Sequence, residues 1–403
     1  MTIKLAMISP DSLPVPAVKG GAIQLGIQQI IDENEKLNML DLTIYSIFDE
    51  EALAASEKYQ NTRFHFIKST NRSFTIKRIN NVLNYLNIRH RFDVNPGYTK
   101  SLCEQLSQNR FDTIIIKNMV RFVEPISKIT TDPIWLQLHN DNLNNCILRC
   151  KPIYRACRKV LVNSHYLKKR VLTIENARSE DVLVHKNCTD IHSFKKEQHS
   201  NEIKELKNKY KIHDDDIVIL YSGRTVPEKG IKELIMAVKK LPENLKFKLL
   251  IVGSKGFGKK VTNIYLYKLK KIAGSISHKI IFTGFVQYHD LPKIHAISDM
   301  AVVPSIWEEP AGRVITEAMA SGLPVIVSGS GGMEDYINKE STIIVRRGKA
   351  FVDNLSSEIK RLMEDKRLRE RMGKAGQEFV KRFDSYIYYE QLIEFLKRQK
   401  GVF

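Results

Sequence analysis

At 403 residues and 43% hydrophobic content, the chain is long enough for two ordinary domains and too apolar to be intrinsically disordered. No apolar run approaches the ~20 residues of a membrane-spanning helix. The formal net charge of +19 points to an anionic partner (nucleic acid, anionic lipid or a phosphorylated substrate), unless the Lys-, Asn- and Ile-rich usage is a property of the genome. No helix-turn-helix, zinc-finger or aromatic RNA-binding signature accompanies the charge, which disfavours nucleic acid.

Met1–Pro10 reads as a buried first strand, Ile3–Ile8, and not as a signal peptide. Further strands are expected at Leu42–Phe48, Arg63–Ile67, Thr113–Ile116, Ile134–Leu138, Val160–Asn163 and Val182–His185, with longer amphipathic segments between them. Near-continuous apolar strands alternating with helices imply parallel sheets covered on both faces. Around residues 190–215 the chain becomes charged and polar, and then the alternation restarts. Ile217–Tyr221, Phe247–Val252, Ile280–Thr283, Met300–Val303, Val325–Val327 and Thr342–Val345 are the second set of strands. Two doubly wound α/β domains follow, 1–195 and 196–383, with a final amphipathic helix in 384–403. The five cysteines, Cys103, Cys146, Cys150, Cys157 and Cys188, form no CxxC pair. Reduced thiols in the cytoplasm are expected, and zinc is not.

Chemistry-bearing motifs start with Gly20-Gly21, which follow Pro14-Val15-Pro16 and open a helix, so that free N–H groups face outward. Residues 63–100 are rich in Arg and Lys and contain an apolar helical stripe from Phe74 to Ile88. This stretch suits either an anionic membrane surface or a core-packed helix with a solvated basic edge. His139 ends a strand, followed by Asn140-Asp141. The second half opens with Tyr221-Ser222-Gly223-Arg224, then Lys229-Gly230 and a helix. A glycine at the strand end lets a ligand approach the backbone, and Arg224 and Lys229 would stand at the carboxyl edge of a parallel sheet. Together the planar guanidinium and the point charge can hold a diphosphate and stabilise it as it leaves.

Trp307 to Ser321 reads W-E-E-P-A-G-R-V-I-T-E-A-M-A-S. Glu309 and Glu317 are separated by seven residues; the first sits in a Pro/Gly turn and the second beside Val314, Ile315, Ala318 and Met319 at helical spacing. Were both on one helix, they would lie about 12 Å apart along the axis and roughly share a face. The helix dipole accounts for an acid at 308 or 309, but not for Glu317.

This segment, with its continuation to Gly322-Leu323-Pro324-Val325-Ile326-Val327 and Gly331-Gly332, resembles the donor-binding signature of retaining glycosyltransferases of family four, which have the GT-B fold. G-R-T-V-P-E-K-G at 223–230 resembles the family's phosphate-gripping loop. Gly284-Phe285-Val286 with Asp290-Leu291-Pro292 resembles its base-contacting segment, and the Gly20-Gly21 loop its first loop, between donor phosphate and acceptor. The string around Gly20 is similar to that of bacterial members that build spore-coat or cell-surface glycans. Two departures stand out: Met333-Glu334-Asp335 replaces the usual proline-acid pair, and Cys188 replaces a glycine in Asn187-Cys188-Thr189-Asp190.

The resemblance implies two Rossmann-like domains facing a central cleft, with the last helix crossing back to the first domain. It implies transfer of a hexose or N-acetylhexosamine from a nucleotide diphosphate sugar to a glycan or lipid-linked acceptor. No metal and no cofactor are expected. The catalytic set would be Glu309, His139, Arg224 and Lys229. The donor would be held by Gly20, Gly21, Gly223, Arg224, Lys229, Val286, Glu309, Gly312, Arg313, Val314 and Glu317. Glu309 would meet the transferred sugar and Glu317 the ribose. Two other readings stay open: a sugar-nucleotide epimerase on the same fold, and a catalytically silent partner subunit.

Overall fold

The computed structural model describes residues 2–68, 95–196, 200–256 and 264–401. The chain forms two compact units, Met1–Asn187 with Ser385–Phe403, and Cys188–Asp384. Most of the basic helical stripe expected in 63–100 lies outside the described residues. No helix among the described residues is long and apolar enough to cross a membrane.

The first unit is a seven-stranded sheet: β1 (Ile3–Ile8), β2 (Leu40–Ile47), β3 (Thr62–Ile67), β4 (Thr113–Lys117), β5 (Ile134–Leu138), β6 (Lys159–Val162) and β7 (Val182–Val184). Their order is β3-β2-β1-β4-β5-β6-β7 and every pairing is parallel. Leu5 of β1 faces Leu42 on one side and Thr113 on the other, so the strand order reverses around β1. Ligands in such sheets bind beyond the carboxyl ends at the reversal. The helices among its described residues are α1 (Ala22–Leu37), α2 (Glu50–Ser56), α3 (Pro96–Ser107), α4 (Val123–Ser127), α5 (Cys150–Ala156) and α6 (His165–Val171).

The second unit has α7 (Ser200–Lys209), β8 (Ile217–Ser222), α8 (Ile231–Lys239), β9 (Phe247–Val252), α9 (Ile264–Ala273), β10 (Ile280–Gly284), α10 (Leu291–Ala296) and β11 (Met300–Val303). It continues with α11 (Arg313–Ala320), β12 (Val325–Val327), β13 (Thr342–Ile344), α12 (Phe351–Glu364) and α13 (Lys366–Val380). Its parallel order, β10-β9-β8-β11-β12-β13, reverses around β8. Alternation along β8 splits the core in two. Ile219 and Tyr221 join Leu234, Ile235, Leu269 and Leu355 on the face covered by α8, α9 and α12. Val218 and Leu220 join Ile294, Ile315, Met319 and Val380 under α10, α11 and α13. Burial on both faces is why these strands are apolar almost throughout.

The final helix, α14 (Ser385–Lys400), packs on the first unit. Tyr389 donates to Asn34 Oδ1 at 2.6 Å, and Tyr388 stacks on His185 with ring centroids 4.0 Å apart. His185 Nε2 lies 2.9 Å from the Tyr388 carbonyl, which can only accept, so Nε2 carries the proton. Nδ1 is then free to accept from Gln137 at 3.4 Å, while the buried Lys117 donates to Gln137 Oε1 at 2.5 Å. Burial lowers the His185 pKa to about 3. All five cysteines are free thiols, and burial pushes Cys157 up to about 12, leaving it unreactive.

Candidate active site

Close backbone approaches at the carboxyl edge of the second sheet build the site. Gly223, at the end of β8, has φ 153°. A Cβ on Gly253 would stand 2.0 Å from the Gly223 carbonyl oxygen. Gly230, in the left-handed region at φ 71°, is as constrained: a Cβ there would lie 1.9 Å from the Pro304 carbonyl oxygen. Ile306 N–H donates to the Glu228 carbonyl at 3.0 Å. The tight turn Pro227–Lys229 is thereby pressed against the segment leaving β11.

That packing delivers Lys229 to Glu309. Nζ donates to Glu309 Oε1 at 2.6 Å, and Ser305 Oγ donates to the same oxygen at 2.5 Å. Glu309 is 6% exposed, and Lys229 Nζ also lies 5.5 Å from the Trp307 ring centroid. The Glu309 carbonyl accepts from Gly332 N–H at 2.6 Å. Gly331, at φ 59°, approaches so closely that a Cβ would sit 2.3 Å from that carbonyl oxygen. Arg224 is half-exposed and stands 3.5 Å from Glu228, its carbonyl held by the Tyr221 hydroxyl at 2.8 Å. Burial, reinforced by the Glu309 charge, raises the Tyr221 pKa, so the phenol stays protonated and donates.

The two glutamates do not share a helical face. Helix α11 begins only at Arg313, so Glu309 stands in the loop before it and Glu317 inside it. Pro310 restricts its predecessor to extended backbone. Gly312 sits where a Cβ would come within 2.7 Å of Ile315 Cδ1 and 3.2 Å of Tyr336 Cβ. Eight residues thus span a turn and one helical turn, not two turns of one helix.

Glu317 is buried and accepts from Arg313 Nε at 3.3 Å. Arg313 also donates to the Tyr288 hydroxyl at 3.2 Å and covers the Tyr288 ring at 5.2 Å. Burial raises the Glu317 pKa, and Arg313 partly offsets the rise. Val314 is half-buried, as is Val286, which packs against the same core just before Tyr288.

Gly20, Gly21 and His139 belong to the first unit. Gly20 and Gly21 adopt φ 71° and 101°, and Gly21 caps α1. Space does not demand a glycine at 20, because nothing lies within 4 Å of a Cβ there; the backbone angle does. His139 follows β5, half-buried, with its N–H bonded to Asn118 Oδ1 at 2.9 Å.

Four participants escaped the sequence reading. Ser305 lies two residues beyond the strand Met300–Val303, and Tyr288 lies between Val286 and Asp290. Arg346 and Arg347 follow β13, remote in sequence. Arg347 donates to the Ile306 carbonyl at 2.8 Å and pairs with Glu308, holding the Glu309 loop from outside. Arg346 donates to the Gly329 carbonyl at 2.6 Å and pairs with Glu334 at 2.7 Å, holding the glycine loop. The only sequence signal was two adjacent arginines after an apolar strand.

Residues 202–379, which carry all of the second unit's site, match the family Glycosyl transferases group 1. The second unit is thus similar to the group 1 glycosyltransferases. Spore coat protein SA of Bacillus subtilis is 25% identical over 382 residues, covering 92% of this chain and 93% of that protein. A GDP-mannose-dependent alpha-(1-6)-phosphatidylinositol monomannoside mannosyltransferase of Mycobacterium tuberculosis is 30% identical over 184 residues, covering 44% of this chain and 46% of the relative. Among solved structures, Anabaena Alr3699/HepE in complex with UDP and glucose superposes with a TM-score of 0.75 at 20% identity, covering 98% of this chain and 99% of that one. The fold is GT-B.

Proposed function

We propose that the chain transfers a hexose or N-acetylhexosamine from a UDP-linked donor to a hydroxyl of a glycan or lipid-linked acceptor, with retention and without a metal ion, in cell-surface polysaccharide synthesis at the cytoplasmic side. The observation that carries this reading is the Lys229–Glu309 pair, 2.6 Å apart beside Gly223 and Arg224. A group that grips the leaving diphosphate and a carboxylate for sugar hydroxyls stand within one hydrogen bond. The spore-coat relative supports the pathway class, and the neighbour bound to UDP and glucose supports a UDP-sugar.

In this reading the anomeric C–O bond to the β-phosphate breaks first, and Arg224 and Lys229 stabilise the charge gathering on the departing oxygen. That oxygen takes the proton of the acceptor hydroxyl as the new C–O bond forms on the same face, which preserves configuration. Glu309 orients the sugar, His139 contacts a sugar hydroxyl or the acceptor, and Glu317 holds the ribose. Incubation with UDP-sugars and a panel of hydroxyl acceptors, followed by proton NMR of the product, tests the proposal. A product with the donor's anomeric configuration is expected, formed equally in excess chelator; an inverted product or a strict metal requirement contradicts it.

A further inference from the structure

Between residues 231 and 282 the chain carries twelve lysines against two glutamates and no aspartate, a concentration of charge that the donor site does not use. In this stretch α8 and α9 lie side by side on one face of the second sheet, joined where Lys239 Nζ donates to the Ile272 carbonyl at 3.0 Å. Helix α9 buries Leu269 and Ala273. Its opposite face carries Ile264, Tyr267, Lys268 and Lys271, at the i, i+3, i+4, i+7 spacing that shares one side of a helix. Ile264 is 74% exposed and Tyr267 72% exposed, the two most exposed large apolar side chains among the described residues. The outward face of α8 repeats the pattern with Lys232, Met236, Lys239 and Lys240.

An exposed isoleucine and tyrosine ringed by lysines gain nothing from water. They suit an interface where apolar side chains enter the acyl boundary, tyrosine sits at the headgroups, and ammonium groups meet anionic lipid. Nucleic acid would satisfy the charge and the tyrosine, but not the isoleucine. We infer that the outward face of α9, with that of α8 beside it, docks on an anionic bilayer. Ile264 and Tyr267 enter the interface, and Lys268 and Lys271 bind lipid phosphate.

The test is co-sedimentation of the purified full chain with phosphatidylcholine vesicles, with and without phosphatidylglycerol. Three double variants accompany it: Ile264→Ser/Tyr267→Ser, Lys268→Glu/Lys271→Glu, and, on α13, Lys366→Glu/Lys374→Glu. Since all six side chains are exposed, thermal melts should coincide with that of the parent. Binding is expected only with phosphatidylglycerol, weakened by salt. Either α9 variant should reduce partitioning at least about tenfold, and the α13 variant, with the same charge change, less than about threefold. Three results would each overturn the inference: no binding, α9 variants that lose no more binding than the α13 variant, or retention of an RNA oligomer in place of vesicles.

Discussion

Lys229 Nζ donates to Glu309 Oε1 across 2.6 Å, which joins the cation that the proposed function assigns to the diphosphate to the carboxylate that it assigns to the sugar. The pair is largely removed from water, with side-chain exposures of 20% and 8%. Under the proposed function a donor exchanges this charge-assisted bond for phosphate on Lys229 and hydroxyls on Glu309.

Replacing Lys229 by alanine therefore harms both chemistry and the loop. Turnover should fall at least about a hundredfold, as when one transition-state donor is lost. Stability should fall by about 1–3 kcal/mol, because Glu309 keeps a buried charge with, among the described residues, only the Ser305 side chain donating to it. Adding Glu309→Ala should restore part of the stability and none of the turnover. Urea titrations with steady-state rates on the four proteins of this cycle provide the check.

Gly230 and Gly20 share φ 71° but not their surroundings. Gly20→Ala should cost only the left-handed backbone, about 1–2 kcal/mol. Gly230→Ala must also push back the Pro304 carbonyl, and with it the turn bearing Lys229. Its cost should be clearly larger, with donor affinity reduced about tenfold or more. Chemical denaturation and donor titration of the two variants separate these cases.

Arg347 works through the backbone. Its removal frees the Ile306 carbonyl and Glu308, loosening the segment that presents Glu309. Arg347→Ala should lower kcat/KM about tenfold, and Arg347→Lys should not restore it, because a single ammonium cannot reproduce the two-pronged guanidinium contact. Kinetics of both variants at saturating and limiting donor provide the measurement.

Glu317 gives a pH signature. Burial raises its folded-state pKa above the ordinary value of 4.5, so the folded chain binds the proton more tightly than the unfolded chain. Its contribution to stability is present below pH 4.5 and is lost as pH rises through the folded pKa. The stability difference between the parent and Glu317→Gln should therefore move against the parent as pH rises from 4.5. A constant difference across that range would contradict the burial argument.

His185 carries the opposite sign. Its pKa is lowered from 6.5 to about 3, so stability is lost as pH falls from 6.5 towards 3, by about 1.4 kcal/mol per pH unit. His295, also lowered to about 3 by burial, adds a similar slope. His185→Phe should remove one of the two slopes, seen as a shallower acid limb in urea midpoints against pH.

The strands were legible because residues buried on both faces leave an unbroken apolar run, as in Ile217–Tyr221 against the observed Ile217–Ser222. The turn between Gly223 and Gly230 and the Glu309–Glu317 spacing were legible because local turn chemistry, Gly223, Gly230, Pro310 and Gly312, is written in adjacent residues. Their geometry was less so: a helix covering both glutamates failed because Pro310 and Gly312 delay its start to Arg313. Arg347 beside Glu308, and Tyr288 beneath Arg313, are tertiary meetings of distant segments, and no local period announces them.

The most direct measurement is calorimetric binding and slow hydrolysis of UDP-glucose, UDP-galactose, UDP-N-acetylglucosamine, UDP-N-acetylgalactosamine and GDP-mannose by the parent chain and Lys229→Ala. One preferred UDP-sugar is expected, bound and slowly hydrolysed by the parent, with hydrolysis abolished in the variant. Equal hydrolysis by both proteins, or no binding of any donor, would contradict the assignment of Lys229 and Glu309 as the donor grip.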